Sequence, residues 1–246
     1  MPPFVQTTHA QESPHCQILS ENFQRVRQRI ADACQAAQRP SESVHLLAVS
    51  KTKPIEDVLC LARCGQGAFG ENYLQEALQK IAQAPELEWH FIGPIQSNKT
   101  RPIAEHFAWV HSVDRLKIAQ RLSAQRPATL PALQILLEVN IDQETSKAGF
   151  APEALTEACH EVLKLPNLRL RGLMAIPQIR QTLAEQRAVF EQMQQHLAQL
   201  QEQFPEAELD TLSMGMSGDL EAAVYQGATW VRIGTDLFGQ RAYPAP

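Results

Sequence analysis

Leu46-Leu-Ala-Val-Ser50-Lys51-Thr-Lys-Pro54 is the stretch that decides how the chain is read. The aliphatic run Leu46 to Val49 has the length and composition of a buried strand, and Pro54 suits the first turn of a helix. Lys51 therefore stands where a strand stops and a loop begins. In a parallel α/β protein that is the C-terminal edge of the sheet, where ligands bind. A lysine there reaches solvent, yet apolar surface beside it can lower its pKa, which is what a Schiff-base lysine needs. A solvated lysine at a strand end is the ordinary alternative, and this stretch alone does not choose between them.

Outward from it, one unit recurs: a short apolar strand, then a longer helical stretch. Strands are expected at 46–49, 68–70, 88–93, 109–113, 133–141, 168–176, 211–214 and 229–233. Helices are expected at 55–64, 71–82, 97–107, 114–125 with Asp114 as cap, 152–165, 181–204 and 218–226. A further helix over Ser20–Gln38 precedes the first strand, with Phe23, Val26, Ile30, Ala33 and Ala37 at three- and four-residue steps. No linker or composition break divides the series. Eight strand–helix units in 246 residues fit a single-domain (β/α)8 TIM barrel of parallel strands. An open doubly wound sheet is the alternative, but it usually carries a glycine-rich dinucleotide loop after its first strand, and Ser50-Lys-Thr-Lys-Pro54 is not one. Residues 1–14, rich in Pro, Thr, Gln and His, read as a flexible extension, and 15–246 as the barrel.

Composition narrows the function classes. The chain is 44% hydrophobic and 20% charged, with a formal net charge of -5. There is no basic excess of the kind a nucleic-acid surface needs, and no apolar run long enough to cross a bilayer. The polar start lacks the pattern of a signal peptide, so a cytoplasmic protein is expected. An odd count of five cysteines without framework spacing predicts reduced thiols. Cys60 and Cys64 share a helix face as small hydrophobes, and no histidine completes a metal pattern around them.

If the barrel closes, its strand ends meet at one mouth. They deliver Lys51, then Glu71 and Asn72, then His90, His111 and Ser112, then Asn140 with Lys147, Met174, Ser213 to Gly218, and Arg232 with Gly234-Thr235. Ser217-Gly218 opens a helix and Gly234-Thr235 makes a second turn. Barrels commonly bind phosphate at the loops after strands seven and eight, although serine and glycine also serve simply as caps. A phosphate site facing a strand-end lysine suggests pyridoxal phosphate. Arg232, two residues before Gly234, projects to the same side and suits the cofactor's ring nitrogen; a salt bridge at the barrel end is the plainer reading. A guanidinium cannot accept a proton from that nitrogen.

Ala48-Val-Ser-Lys-Thr-Lys-Pro54, Phe69-Gly-Glu-Asn-Tyr73, Trp89-His-Phe-Ile-Gly-Pro-Ile-Gln-Ser-Asn-Lys99, Ser146-Lys-Ala-Gly149, Gly172-Leu-Met-Ala-Ile-Pro177, Leu212-Ser-Met-Gly-Met-Ser-Gly-Asp219 and Val231-Arg-Ile-Gly-Thr235 with Phe238-Gly239 together resemble the motifs of the pyridoxal phosphate homeostasis protein family. The family is a single-domain relative of the N-terminal barrel of alanine racemase. The resemblance implies that Lys51 carries the cofactor as a Schiff base, that Ser217, Gly218, Gly234 and Thr235 cradle its phosphate, and that Arg232 lies near its ring nitrogen. It also implies Asn72 beside the cofactor and Met174 near the ring face. The loop Asp142-Gln-Glu-Thr145 ahead of Ser146 differs from the family pattern.

The resemblance further implies intracellular vitamin B6 and amino-acid homeostasis: buffering pyridoxal 5'-phosphate and delivering it to apo-enzymes. Neither a catalytic residue nor a metal is expected. A racemase's second base comes from an added C-terminal domain, for which Phe238 to Pro246 leaves no room. A small racemase or other pyridoxal-phosphate enzyme is the competing class, and a cofactor-free Schiff-base aldolase a weaker third. With no long exposed apolar helix face, a monomer is expected.

Overall fold

Serine followed by proline is a helix-start signal, and Ser13-Pro14 uses it: the Ser13 hydroxyl accepts from the Cys16 amide at 3.2 Å. The computed structural model describes residues 13–145 and 147–239. The extension expected over residues 1–14 lies almost wholly outside them. Helix α1 runs Pro14–Ala36, so it begins before the Ser20 that periodicity suggested. Cys16 and Leu19 carry its buried stripe one turn further back than the reading from Phe23 had taken it.

The strands are β1 (His45–Val49), β2 (Ala68–Glu71), β3 (Glu88–Phe91), β4 (Trp109–Val113), β5 (Leu133–Glu138), β6 (Leu168–Met174), β7 (Thr211–Ser213) and β8 (Trp230–Ile233). Between them lie α2 (Ile55–Arg63), α3 (Leu74–Ile81), α4 (Thr100–His106), α5 (Leu116–Gln125), α6 (Leu155–Leu163), α7 (Leu183–Gln203) and α8 (Leu220–Tyr225); α9 (Thr235–Phe238) follows β8. Every pairing is parallel, each strand lies beside its sequence neighbours, and β8 returns to β1 with Leu47 opposite Arg232 and Ala48 opposite Ile233. The sheet is therefore a closed (β/α)8 barrel, not an open one.

Two local expectations need correction. Asp114 does not cap α5: its carboxylate pairs with Arg115 at 2.5 Å, and Arg115 occupies the cap position without a side-chain capping bond. The thiols are not all reduced either, because Cys16 on α1 and Cys60 on α2 form a disulfide with a Cα separation of 5.7 Å. Starting α1 at Ser20 had left Cys16 off the helix that carries it to Cys60. Cys34, Cys64 and Cys159 are free. No described helix is long and apolar enough to cross a membrane.

The main core fills the shell between strands and helices, with Phe23, Phe69, Phe107 and Phe190 fully buried in it. The barrel interior is different. It holds two small apolar clusters, Leu47–Ala68–Ile92 and Trp109–Leu136–Met174. His90, His111, Ser213 and Arg232 are also buried, facing one another across the strands. Branched aliphatics usually fill this space.

Between β5 and β6 the register slips at a bulge, with Ile135 opposite Leu170 but Leu136 opposite Gly172. Gly172 has φ +147, and a Cβ there would lie 2.0 Å from the Thr211 carbonyl oxygen. Gly172→Ala is expected to cost roughly 3 kcal/mol or more, read as a lower urea midpoint at unchanged slope.

Candidate functional site

At the end of β1 the ladder continues one residue further, with the Ser50 amide donating to the Gly70 carbonyl at 3.0 Å. Lys51 follows, half-buried, and the chain then turns through Thr52 at φ +64. That left-handed residue is held from outside: the Thr52 amide donates to Glu76 Oε1 at 2.6 Å. Beneath the loop Lys80 Nζ uses all three donors, to the Ser50 carbonyl at 2.7 Å, Glu71 Oε1 at 2.7 Å and Glu76 Oε1 at 2.6 Å. The Ser50 hydroxyl adds a 2.6 Å bond to Glu71 Oε1. Burial pushes the Glu71 carboxyl above its usual range, and the bond from Lys80 opposes it. The nearby Lys53 amine is committed elsewhere, to the Phe238 carbonyl at 3.0 Å.

The two bends sit beside this loop because β8 neighbours both β7 and β1. The Arg232 amide donates to the Gly215 carbonyl at 2.9 Å, tying the Met214–Asp219 bend to β8. Gly215 has φ +92, and a Cβ there would meet the Ala223 methyl at 2.5 Å. On the other side, a Cβ at Gly234 would lie 3.3 Å from the Val49 carbonyl oxygen, which shows how close β1's end runs. A Cβ at Gly218 would meet nothing within 4 Å. Asp219 folds back to accept from the Met216 amide at 2.6 Å.

Arg29 on α1 clamps both bends together. Its guanidinium donates to the Ser217 carbonyl at 3.1 Å, to Glu221 at 2.9 and 3.0 Å, and to Asp236 at 2.5 Å. Asn22, two turns earlier on the same helix, donates to the Leu237 carbonyl at 2.9 Å. Sequence reading gave α1 no part in the site. Arg29 and Asn22 do share one helical face, flanking the apolar stripe, but nothing in the pattern tells what that face meets.

Arg232 is buried in the barrel interior. It donates to Ser213 Oγ at 2.8 Å and to the Ala175 carbonyl at 2.9 Å. Burial pulls its pKa down to about 10, with the Asp219 and Glu138 charges opposing. It stays a cation, and a donor only, at neutral pH. Asn72 lies at the end of β2 with Oδ1 buried and without a hydrogen-bond partner among the described residues. Gly93 packs on its backbone so closely that a Cβ would be 2.3 Å from the Asn72 carbonyl oxygen. Met174 is buried in the barrel interior against Trp109 and Leu136. Lys51, Asn72, Ser217, Gly218, Gly234 and Thr235 thus stand at the strand ends, while Arg232 and Met174 lie deeper within the barrel.

Glu138, at the end of β5, was not among the residues singled out from sequence. It lines a cavity of about 210 Å3 with Asn140, Asp142, Lys147 and Ile176. Burial, helped by the Asp114 charge, raises its pKa from the usual 4.5 to about 7, against the pull of Arg232. Its place two residues before Asn140 on the same face was the available signal. An unfolded chain ionises this group near 4.5, so its contribution to stability is full below that pH and is lost as pH rises to about 7. Glu138→Gln should remove that decline. Relative to wild type the variant should gain on the order of 3 kcal/mol between pH 4.5 and pH 8, read from urea unfolding without added ligand.

The family described as "Alanine racemase, N-terminal domain" matches residues 19–242. The pyridoxal phosphate homeostasis protein of Pseudomonas aeruginosa is 60% identical over 230 residues, covering 93% of this chain and 98% of that one. Its namesake from Escherichia coli K12 is 49% identical over 230 residues, covering 92% and 97%. PipY of Synechococcus elongatus PCC7942, solved with PLP bound, superposes with a TM-score of 0.79 at 38% identity, covering 90% of this chain and all of that one. Alanine racemase of Corynebacterium glutamicum, at 14% identity and a TM-score of 0.70, shares the fold; the match covers 93% of this chain and 62% of that one.

Proposed function

We infer the function of this chain from the family to which it belongs, the pyridoxal phosphate homeostasis proteins, within the wider alanine racemase N-terminal-domain family. We propose that it binds pyridoxal 5'-phosphate through Lys51 and keeps the cofactor available to apo-enzymes in the cytoplasm, as a monomer and without a reaction of its own.

The observation that carries this is the arrangement of β7, β8 and β1 side by side. It brings the end of β1, which the half-buried Lys51 follows, beside two bends rich in amides and hydroxyls. The residues present fit the cofactor. Ser217, Gly218, Gly234 and Thr235 supply donors for a phosphate, and the space beside Gly218 is open. Asn72 Oδ1 has no hydrogen-bond partner among the described residues. Arg232 supplies a fixed positive donor for the ring nitrogen.

When bound, pyridoxal 5'-phosphate brings an aldehyde that links covalently and reversibly to a primary amine. The chain's own contribution is positioning. Lys80 and Glu71 hold the loop that presents Lys51, and Arg29 holds the two bends as one unit. Arg232 can only donate, so a ring nitrogen bonded to it would be the acceptor and carry no proton. A ring nitrogen without a proton makes a weaker electron sink, which is compatible with storage. The homeostasis name carried by the curated relatives supports the same choice.

Borohydride reduction of the loaded protein, followed by mass mapping, should place a pyridoxyl group on Lys51. Lys51→Ala should lose both the label and the visible absorbance while still unfolding in one cooperative urea transition. A label on Lys53 in the variant, or alanine racemisation at turnover rates by the wild type, would overturn the assignment. Arg232→Gln should move the absorbance band of the loaded protein while raising the dissociation constant less than about tenfold, roughly 1.4 kcal/mol, because the bends supply most of the affinity.

A further inference from the structure

One chain of hydrogen bonds runs through the barrel interior from its N-terminal end. Glu88 Oε1 lies 2.7 Å from His90 Nε2, and His90 Nδ1 lies 2.9 Å from His111 Nε2. His111 Nδ1 lies 2.9 Å from Ser213 Oγ, which accepts from Arg232 at 2.8 Å. His90, His111 and Ser213 have no exposed surface, and Arg232 is 4% exposed. Glu88 is the open end: its side chain is 47% exposed and lines a cleft of about 850 Å3 with His45, Arg27 and Trp230, on the face opposite the mouth.

The two ends dictate the direction of every bond. A guanidinium only donates and a carboxylate only accepts. Ser213 receives from Arg232, and its own proton goes to His111 Nδ1. His111 then carries its proton on Nε2 and gives it to His90 Nδ1. His90 in turn carries its proton on Nε2 and gives it to Glu88. The opposite tautomers would set a bare His90 Nε2 against a carboxylate. Burial lowers both imidazole pKa values, and the bond from His90 holds Glu88 below its usual range, so the ends stay charged and the middle neutral. In such a chain each bond polarises the next.

We propose that Glu88, His90, His111 and Ser213 are a through-barrel relay that positions and polarises Arg232, so that the state of Glu88 in the far cleft is transmitted to the cofactor end. The link to the cofactor rests on the role given to Arg232 above; the relay itself does not.

The test uses the full chain, without cofactor, labelled with 15N at histidine and arginine. Long-range NMR correlations should show both imidazoles as Nε2–H tautomers. Glu88→Gln should shift the His111 Nδ1 and Arg232 Nη resonances. In a Ser213→Ala background the same change should still reach His111 but no longer Arg232, and Ser213→Thr, which keeps the hydroxyl, should restore the effect. An Nδ1–H tautomer at either histidine, or an Arg232 shift that survives Ser213→Ala, would overturn the relay. In the loaded protein Glu88→Gln should move the absorbance band or change the pyridoxal 5'-phosphate dissociation constant at least twofold, and Ser213→Ala should abolish that response. A band and affinity indifferent to Glu88, in protein whose label maps to Lys51, would overturn the positioning role. Failure of the Lys51 label itself would instead sink the cofactor assignment and leave the NMR result standing.

Discussion

The pairing of β8 with β1 is the constraint on which the mouth depends. It joins residues near the two ends of the described chain, His45 to Trp230 and Ala48 to Ile233. Closing so long a loop costs conformational entropy, although that cost grows only with the logarithm of its length. The apolar shell between strands and helices offsets it, since each fully buried Leu, Ile or Phe contributes about 1.5–3 kcal/mol. Once closed, the barrel has no free sheet edge, and Gly234 has no place to be except beside Val49. The lysine loop and both bends become neighbours through backbone pairing alone.

Charged groups then refine what the backbone brings together. Lys80 is nearly buried and satisfies its three donors within one small region, two of them on carboxylates. Removing one partner of such a buried set is far more damaging than the set is stabilising, because it strands the other charge. Arg29 works differently. It is partly exposed, so its ion pairs contribute little to stability by themselves. Its importance is geometric: one planar guanidinium reaches Ser217, Glu221 and Asp236, so the two bends cannot separate without breaking several bonds at once.

The barrel interior departs from the usual aliphatic filling. Two imidazoles, a hydroxyl and a guanidinium occupy space that Val or Leu would fill at lower desolvation cost. The imidazoles and the hydroxyl are bonded in series and the guanidinium is held through both terminal nitrogens, so the arrangement has one direction of polarity. A carboxyl with a raised pKa, Glu138, borders the same interior from β5. A stability-driven sequence would remove these groups, which agrees with their serving Arg232 and the site.

Periodicity and strand-end chemistry determined a good deal. The eight strand–helix repeats, Lys51 at the first strand's end, the small-residue bends after the seventh and eighth strands, and Arg232 two residues before Gly234 are all local in sequence, since each follows from alternation or from turn chemistry within a few residues. The start of α1 was legible in sequence, as the Ser13-Pro14 cap and as Cys16 and Leu19 extending the three- and four-residue steps back from Phe23. What tertiary structure alone decided is which distant groups meet: Cys16 with Cys60, Arg29 with both bends, Lys80 beneath Ser50, and His90 with His111 and Ser213. Such contacts join residues tens to hundreds of positions apart. Their geometry is set by barrel closure and helix docking, and no pattern within a window of sequence carries that information.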